Sequence, residues 1–135
     1  MSYLLDTNAC IAVINGRPAG VRANVQRSFE RGTAVLLSCI TSFELWYGVA
    51  KSARVAYNTE RLEVFLAAMA TIPFDDGDAE ASGEIRAALE KAGTPIGAYD
   101  CLIAGQALRR GLTLVTANAG EFKRVSGLDW EDWAA

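Results

Sequence analysis

The stretch MSYLLDTNACIAVINGRP, residues 1–18, sets the fold class and raises the functional question. Its apolar start predicts a short buried strand, Ser2–Leu5, which runs directly into Asp6. Helical spacing then predicts a helix over Thr7–Asn15, ended by Gly16, a residue that tolerates the left-handed cap conformation. A carboxylate at the end of a buried strand has two interpretations, a helix cap or a metal ligand.

Composition narrows the chemistry that this chain can perform. With 135 residues, 51% of them hydrophobic, we expect one globular domain over residues 1–135. The chain has no histidine, which excludes Ser-His-Asp and Cys-His catalysis, histidine zinc sites and a histidine general base. Its net charge of −3 gives no overall attraction to nucleic acid, so such a substrate would need a local basic patch or bound cations.

Cysteine content and hydropathy indicate the compartment. Cys10, Cys39 and Cys101 are odd in number and far apart, which argues against a zinc site or a disulfide framework, and their apolar neighbours predict core positions. The mainly apolar segment 64–72 is too short to cross a bilayer. The N-terminus lacks the basic segment of a signal peptide, so we expect a cytoplasmic protein.

Strands and helices alternate along the chain. We expect further strands at 34–39, 71–74, 112–115 and 128–130, and further helices at 21–31, 41–51, 58–70, between 75–78 and 92, at 98–110 and at 120–125. This alternation predicts an α/β fold with a mainly parallel sheet. In the helix over 41–51, Phe43, Trp46, Tyr47 and Ala50 have the spacing of one apolar face.

Polar residues follow several of these strands. Asp6 ends the first strand, Asn118 follows the strand at 112–115, and Glu44 lies in the first turn of the helix after the second strand. Asp100 lies in the first turn of its own helix. Parallel sheets bind ligands in the crevice beyond the carboxyl ends of their strands, where Asp6 and Asn118 belong.

Each of these residues also has an interpretation as a helix cap. Asp6 is a favoured N-cap residue, Thr41-x-x-Glu44 matches a capping box, and Asn118-x-x-Glu121 resembles another cap. Taken together, however, carboxylates that meet at one sheet edge would repel one another unless a cation neutralised them. Such hard oxygen ligands suit Mg²⁺ or Mn²⁺, so the pattern predicts a possible acidic metal site.

Four blocks of sequence carry a resemblance to a known family. They are LLDTN (4–8), ITSFELWYG (40–48), PIGAYDCLIAGQA (95–107) and LTLVTANAGEFKRVSGLDWEDW (112–133). In this order they resemble PIN-domain ribonucleases, and among these the VapC-like toxin subunits of bacterial toxin–antitoxin pairs. The resemblance covers essentially the whole chain and implies a three-layer α/β/α fold with a mainly parallel central sheet.

The resemblance also implies a mechanism and a set of site residues. Asp6, Glu44 and Asp100 match the three principal carboxylates of the family, which hold Mg²⁺ or Mn²⁺ for hydrolysis of RNA phosphodiester bonds. Asn118 occupies a position where an Asp is common, and as a catalytic residue it could still orient water. Glu121 is a nearby candidate acid, and the number of metal ions stays open.

Partners follow from the same resemblance. It implies a homodimer and an inhibitory antitoxin whose C-terminal segment lies across the aromatic helix pair, where Phe43, Trp46 and Tyr47 either form part of the groove or pack in the core. The basic residues that we consider for contact with the RNA backbone are Lys51, Arg54, Arg61, Arg109 and Arg110.

Two alternatives remain at this point. One is a Mg²⁺-dependent phosphatase or phosphoryl-acceptor domain, which also places an aspartate at a strand end. The other is a non-catalytic interaction domain in which every acid is a helix cap, with no strong dependence on metal.

Overall fold

The central sheet of the protein has five parallel strands. A computed structural model describes residues 2–134. The strands are β1 (Ser2–Leu5), β2 (Ala34–Ser38), β3 (Ala70–Ile72), β4 (Thr113–Val115) and β5 (Trp130–Glu131). Their order in the sheet is β3-β2-β1-β4-β5, and all four pairings between them are parallel. The predicted parallel α/β fold is therefore confirmed.

Helices cover both faces of this sheet. They are α1 (Thr7–Asn15), α2 (Ala19–Glu30), α3 (Cys39–Ala50), α4 (Val55–Ala68), α5 (Asp76–Lys91), α6 (Ala98–Arg110) and α7 (Ala119–Phe122). The glycines predicted to end α1 and α6, Gly16 and Gly111, both adopt the left-handed conformation, with φ of 73° and 66°. Across residues 2–134, none of the helices is long and apolar enough to span a membrane.

The strand β1 separates two hydrophobic cores. Leu4 and Leu5 are both 0% exposed, but successive side chains of a strand point to opposite faces of the sheet. Leu5 packs in a cluster with buried residues of α1 to α4, whereas Leu4 packs with those of α5, α6 and α7. This double burial explains why β1 has a continuous apolar sequence and confirms the three-layer arrangement.

The direction of the apolar face of α3 is not the predicted one. Phe43 is 52% exposed and Tyr47 58%, while Thr41 and Leu45 are the buried residues of the helix. Of the two alternatives for these aromatic residues, packing in the core is therefore wrong. Spacing identifies residues that share a helix face, but contacts with α1, α4 and the sheet decide which face is covered. Cys39, at the start of α3, is also exposed, contrary to its predicted core position.

A buried carboxylate joins the start of α5 to the end of α6. The Asp78 side chain is fully buried and accepts hydrogen bonds from Arg110 Nη2 at 2.8 Å, Arg109 Nη1 at 3.0 Å and Gln106 Nε2 at 3.0 Å. Burial raises the pKa of Asp78, but these bonds and one from the Asp75 amide outweigh it and hold the pKa well below its usual range. Asp78 is therefore a structural ion-pair residue.

We expect Asp78→Asn to lower the free energy of unfolding at neutral pH by roughly 2 kcal/mol, because it removes the charge that two arginines share. Since the folded-state pKa of Asp78 is depressed, its contribution is present above the unfolded value of about 4 and is lost as the pH falls. Urea unfolding at several pH values should therefore show a gap between wild type and variant that narrows in acid. The matched control is Asp76→Asn, at an exposed position of the same helix, and an equal loss there would contradict the assignment.

The helices α5 and α6 approach each other closely at Ser82 and Gly105. A Cβ atom added to Gly105 would lie 2.7 Å from the Ser82 Cα. We expect Gly105→Ala to cost roughly 1–3 kcal/mol, because the two backbones must separate. A Cβ on Gly83, also in α5, would meet no atom within 4 Å, so Gly83→Ala should stabilise the protein by up to about 1 kcal/mol through helix propensity. Thermal melting measures both variants, and stabilisation by Gly105→Ala would refute the close approach.

Candidate active site

Asp6 directly follows β1, the strand at which the order of the strands in the sheet reverses. Since β1 is paired with β2 on one side and β4 on the other, a crevice forms beyond its carboxyl end, and the Asp6 N–H donates to the Val115 carbonyl of β4 at 3.1 Å. Asp6 is 6% exposed, and its Oδ1 accepts a hydrogen bond from the Ala9 N–H at 2.8 Å. The cap interpretation is thus correct. Because that bond uses Oδ1 alone, capping does not exclude ligation through the other oxygen.

Glu44 faces the same crevice from the second turn of α3. It is half-buried, and its Oε1 accepts a hydrogen bond from the Thr7 hydroxyl at 2.8 Å. The predicted capping box with Thr41 is wrong, because α3 starts earlier, at Cys39, with Ser38 as its N-cap. Glu44 therefore does not cap α3, and its carboxylate is oriented by Thr7 of α1 instead.

Asp100 brings a third carboxylate to the crevice from the first turn of α6. Its pKa is raised to about 7. Burial is the largest cause, and a hydrogen bond with Glu121 and the negative charges of Glu121, Asp6 and Glu44 contribute the rest. We call these four residues, Asp6, Glu44, Asp100 and Glu121, the carboxylate cluster.

Asn118 positions the fourth member of the cluster. Its Nδ2 donates to Glu121 Oε2 at 2.9 Å, and its backbone N–H donates to the Thr116 hydroxyl oxygen at 2.9 Å. Asn118 is the N-cap residue of α7, as predicted, but within the described part of the chain its side chain makes no capping hydrogen bond. Glu121, named from the sequence only as a nearby candidate, is the acid that contacts Asp100 directly.

Asp6 is subject to the same electrostatic strain as Asp100. Burial raises its pKa, hydrogen bonds from the Thr116 hydroxyl and the Ala9 N–H oppose this effect, and the charges of Glu44 and Asp132 add to it. Asp132, which the sequence pattern does not nominate as a site residue, lies within the block LTLVTANAGEFKRVSGLDWEDW (112–133). The fold therefore brings carboxylates from five separate segments to within electrostatic range.

The spacing of the carboxylates bears on which cation they fit. Among residues 2–134, no three Cys, Asp or Glu side chains are close enough to hold one ion together. Mg²⁺ is usually held by one or two carboxylates and keeps several waters, so a hydrated Mg²⁺ or Mn²⁺ suits this donor set better than an all-protein cage does. Mutual repulsion of the cluster favours any such cation.

Two cavities open on either side of Glu44. A groove of about 280 Å³ lies between α1, α3 and α4. A larger cavity of about 660 Å³ is lined by Thr7, Phe43, Tyr47, Lys51 and Tyr99, among others. The apolar side chains that line the groove are Ile11, Ile14, Leu45, Val49 and Leu62. Of the aromatic residues considered for the antitoxin groove, Phe43 and Tyr47 line the larger cavity, and Trp46 lines neither of the two.

The basic residues considered for RNA contact are not equivalent. Arg109 and Arg110 are bound to Asp78 at the far end of α6 from the cluster, which removes them as free cations. Lys51 instead lines the larger cavity beside Glu44, with its Nζ 4.6 Å from the centroid of the Tyr47 ring. Arg61 lines the groove on the other side of Glu44, so Lys51 and Arg61 are both predicted contacts that the fold places in a cavity with Glu44.

Comparison with known proteins gives consistent matches along the chain. Residues 3–128 match the family described as PIN domain. The tRNA(fMet)-specific endonuclease VapC of Shigella flexneri is 40% identical over 134 residues, which cover 99% of each chain. The crystal structure of VapBC2 from Rickettsia felis bound to a promoter DNA fragment contains a chain that is 38% identical, with a TM-score of 0.92 and coverage of 98% of this chain and 99% of that one. The crystal structure of DNA-bound VapBC from Salmonella typhimurium contains a chain that is 39% identical, with a TM-score of 0.90 and coverage of 98% of each chain.

We expect Asp100→Asn to stabilise the protein in the presence of a chelator, by on the order of 1 kcal/mol at about pH 8. The raised folded-state pKa of Asp100 means that its ionisation costs stability as the pH rises through about 7, and an amide removes that charge while it can still donate to Glu121. Thermal melting in EDTA measures the effect. Asp129→Asn, at an exposed position, is the control, and a lower melting temperature for Asp100→Asn would contradict the expectation.

Proposed function

This chain belongs to the PIN-domain family, in its VapC branch, and from that premise we propose that it is a metal-dependent endoribonuclease that acts as the toxin of a toxin–antitoxin pair. The observation that carries the proposal is the carboxylate cluster, in which burial and three neighbouring carboxylates raise the pKa of Asp100 to about 7. Helix caps alone would not require acids from separate elements to face one another. The family match also favours the nuclease over the phosphatase and phosphoryl-acceptor alternatives.

We assign the cation to the crevice between Asp6, Glu44 and Asp100, which would hold it partly through bound water, since no three carboxylates of residues 2–134 are close enough to ligate one ion together. Supporting this assignment, Asp6 is held by Thr116 and the Ala9 N–H, and Glu44 by Thr7. Donors fixed in this way need little reorganisation when a substrate phosphate arrives. Asn118 acts as a positioning residue, because its amide orients Glu121.

The chemistry follows from this division of roles. A divalent cation held there, Mg²⁺ or Mn²⁺, would stabilise the phosphoryl charge and would lower the pKa of an attacking water. The cluster determines where the RNA phosphate docks, since its free carboxylates repel a phosphate except at the neutralised position. The crevice beyond β1 and β4 orients the phosphodiester for in-line attack.

We propose that the antitoxin occupies the groove between α1, α3 and α4. The lining of Ile11, Ile14, Leu45 and Val49 suits the apolar face of a helical segment. Glu44 also lines this groove, so a bound segment could place an arginine against the cluster and neutralise it as a cation would. The relatives from Rickettsia felis and Salmonella typhimurium were crystallised as VapBC assemblies, which supports such a partner.

Location and oligomeric state complete the proposal. Cys10, Cys39 and Cys101 are all free thiols, as expected in a reducing compartment, so we place the protein in the cytoplasm. The homodimer implied by the resemblance stays a prediction, which sedimentation velocity of the purified chain checks.

We expect Asp6→Asn and Asp100→Asn each to reduce Mg²⁺-dependent RNA cleavage by more than about 100-fold, because each removes a charge that holds the cation. Sequencing of the RNA 5′ ends generated after induction measures cleavage in cells and identifies the target. Purified protein with and without EDTA measures the metal dependence.

Asp129→Asn is the matched control, since it makes the same substitution on an exposed carboxylate outside the cluster, and it should cleave normally. Full activity of the folded Asp100→Asn protein would refute the assignment. Formation of a covalent aspartyl phosphate without RNA cleavage would instead favour the phosphatase alternative.

A further inference from the structure

Three exposed aromatic rings lie beside the carboxylate cluster. Phe43 is 52% exposed, Tyr47 58% and Tyr99 48%. Phe43 of α3 and Tyr99 of α6 contact each other edge to face, with their ring centroids 5.7 Å apart. We call these three residues the aromatic platform. A contiguous exposed apolar patch of this kind marks a binding surface more often than a passive one.

The aromatic platform shares one cavity with Glu44, a member of the cluster. Its volume of about 660 Å³ is within the range of roughly 300–1,000 Å³ that small-ligand sites occupy. Thr7 and Glu44 line it together with the rings, and the Thr7 hydroxyl donates to the Glu44 carboxylate at 2.8 Å. A ligand in this cavity would therefore contact the aromatic platform and Glu44 of the cluster at the same time.

Lys51 gives this cavity a positive charge. Its Nζ is held 4.6 Å from the centroid of the Tyr47 ring, over the aromatic platform. Within residues 2–134, Lys51 forms no ion pair with a carboxylate, so its ammonium is available to a ligand anion. Because the chain has a net charge of −3, an RNA phosphate depends on local cations of this kind.

We propose that the aromatic platform is a stacking subsite for one unpaired base of the RNA substrate, next to the phosphate that is cleaved. The proposal rests on the ribonuclease function and adds to it a subsite, built by Phe43, Tyr47 and Tyr99, for the base beside the cleaved phosphate. The base stacks on the rings while Lys51 contacts its phosphate. A base inside a duplex has both faces covered, so the subsite rejects double-stranded RNA.

The composition of the cavity favours a nucleotide over a protein partner. A protein surface seated on the aromatic platform would bury the Lys51 ammonium and the Glu44 carboxylate, which costs free energy unless the partner supplies matching charges. A stacked nucleotide covers the rings with an apolar face and presents a phosphate to Lys51. It also reaches the cluster, which the substrate must do and a dimer partner need not.

A direct test measures stacking without cleavage. The probe is a short single-stranded oligoribonucleotide that contains one 2-aminopurine, whose fluorescence is quenched when it stacks. Mixed with Asp6→Asn protein, it should be quenched, whereas adding Phe43→Leu and Tyr47→Leu should weaken its affinity by on the order of tenfold. Tyr47→Phe retains the ring and should retain the quenching. The same oligoribonucleotide in a duplex should show no further quenching when the protein is added.

Two controls separate stacking from a general change in the protein. Phe29→Leu makes the same substitution on an exposed phenylalanine of α2, which is 42% exposed, and should leave binding unchanged. In cleavage assays, an abasic nucleotide beside the cut should slow the wild type by about tenfold but have little further effect on the variant with Phe43→Leu and Tyr47→Leu, because the two changes remove the same interaction.

The outcomes are distinguishable from failure of the proposed function. If the aromatic-platform variants bind and cleave like the wild type, the stacking subsite is refuted while the ribonuclease assignment stands. If the wild type quenches the probe but cleaves no RNA with any divalent metal, the proposed function fails instead. If the leucine variants lose dimerisation in sedimentation velocity with quenching intact, the aromatic platform is a protein interface and the proposal is overturned.

Discussion

The parallel pairing of β1 with both β2 and β4 is the constraint on which the rest of the structure depends. It buries Leu4 and Leu5 on opposite faces of the sheet and brings Asp6 to the edge where the strands diverge. A helix from each side of the sheet can then deliver a carboxylate to this edge, Glu44 from α3 and Asp100 from α6. A loss of β1 packing would therefore remove the core and the site together.

The site is an arrangement of like charges that hydrogen bonds hold in place. Thr7 forms a hydrogen bond with Glu44, Thr116 with Asp6, and Glu121 with Asp100. Such a cluster is electrostatically unfavourable by itself, as the raised pKa of Asp100 indicates. The fold tolerates this cost because the buried layers on both faces of the sheet stabilise the protein independently.

Glu44 lies at the boundary between two surfaces with different proposed ligands. The groove between α1, α3 and α4 has an apolar lining suited to an antitoxin segment. The cavity on the other side carries the aromatic platform and Lys51, which suit an unpaired nucleotide. Both surfaces include Ile11, Glu44 and Gly48, so a ligand on one side would compete with a ligand on the other near the cluster.

The sequence by itself determined the parallel α/β architecture, because continuous apolar strands and glycine-capped helices follow from local preferences and burial on both faces. It also nominated Asp6, Glu44 and Asp100, although only through their position near strand and helix ends and a family resemblance. The tertiary structure decided which face of α3 is covered. It also decided that Asn118 donates a hydrogen bond to Glu121, and that Arg109 and Arg110 form ion pairs with Asp78. These facts depend on contacts between residues distant in sequence, and periodicity along one element carries no information about its neighbours.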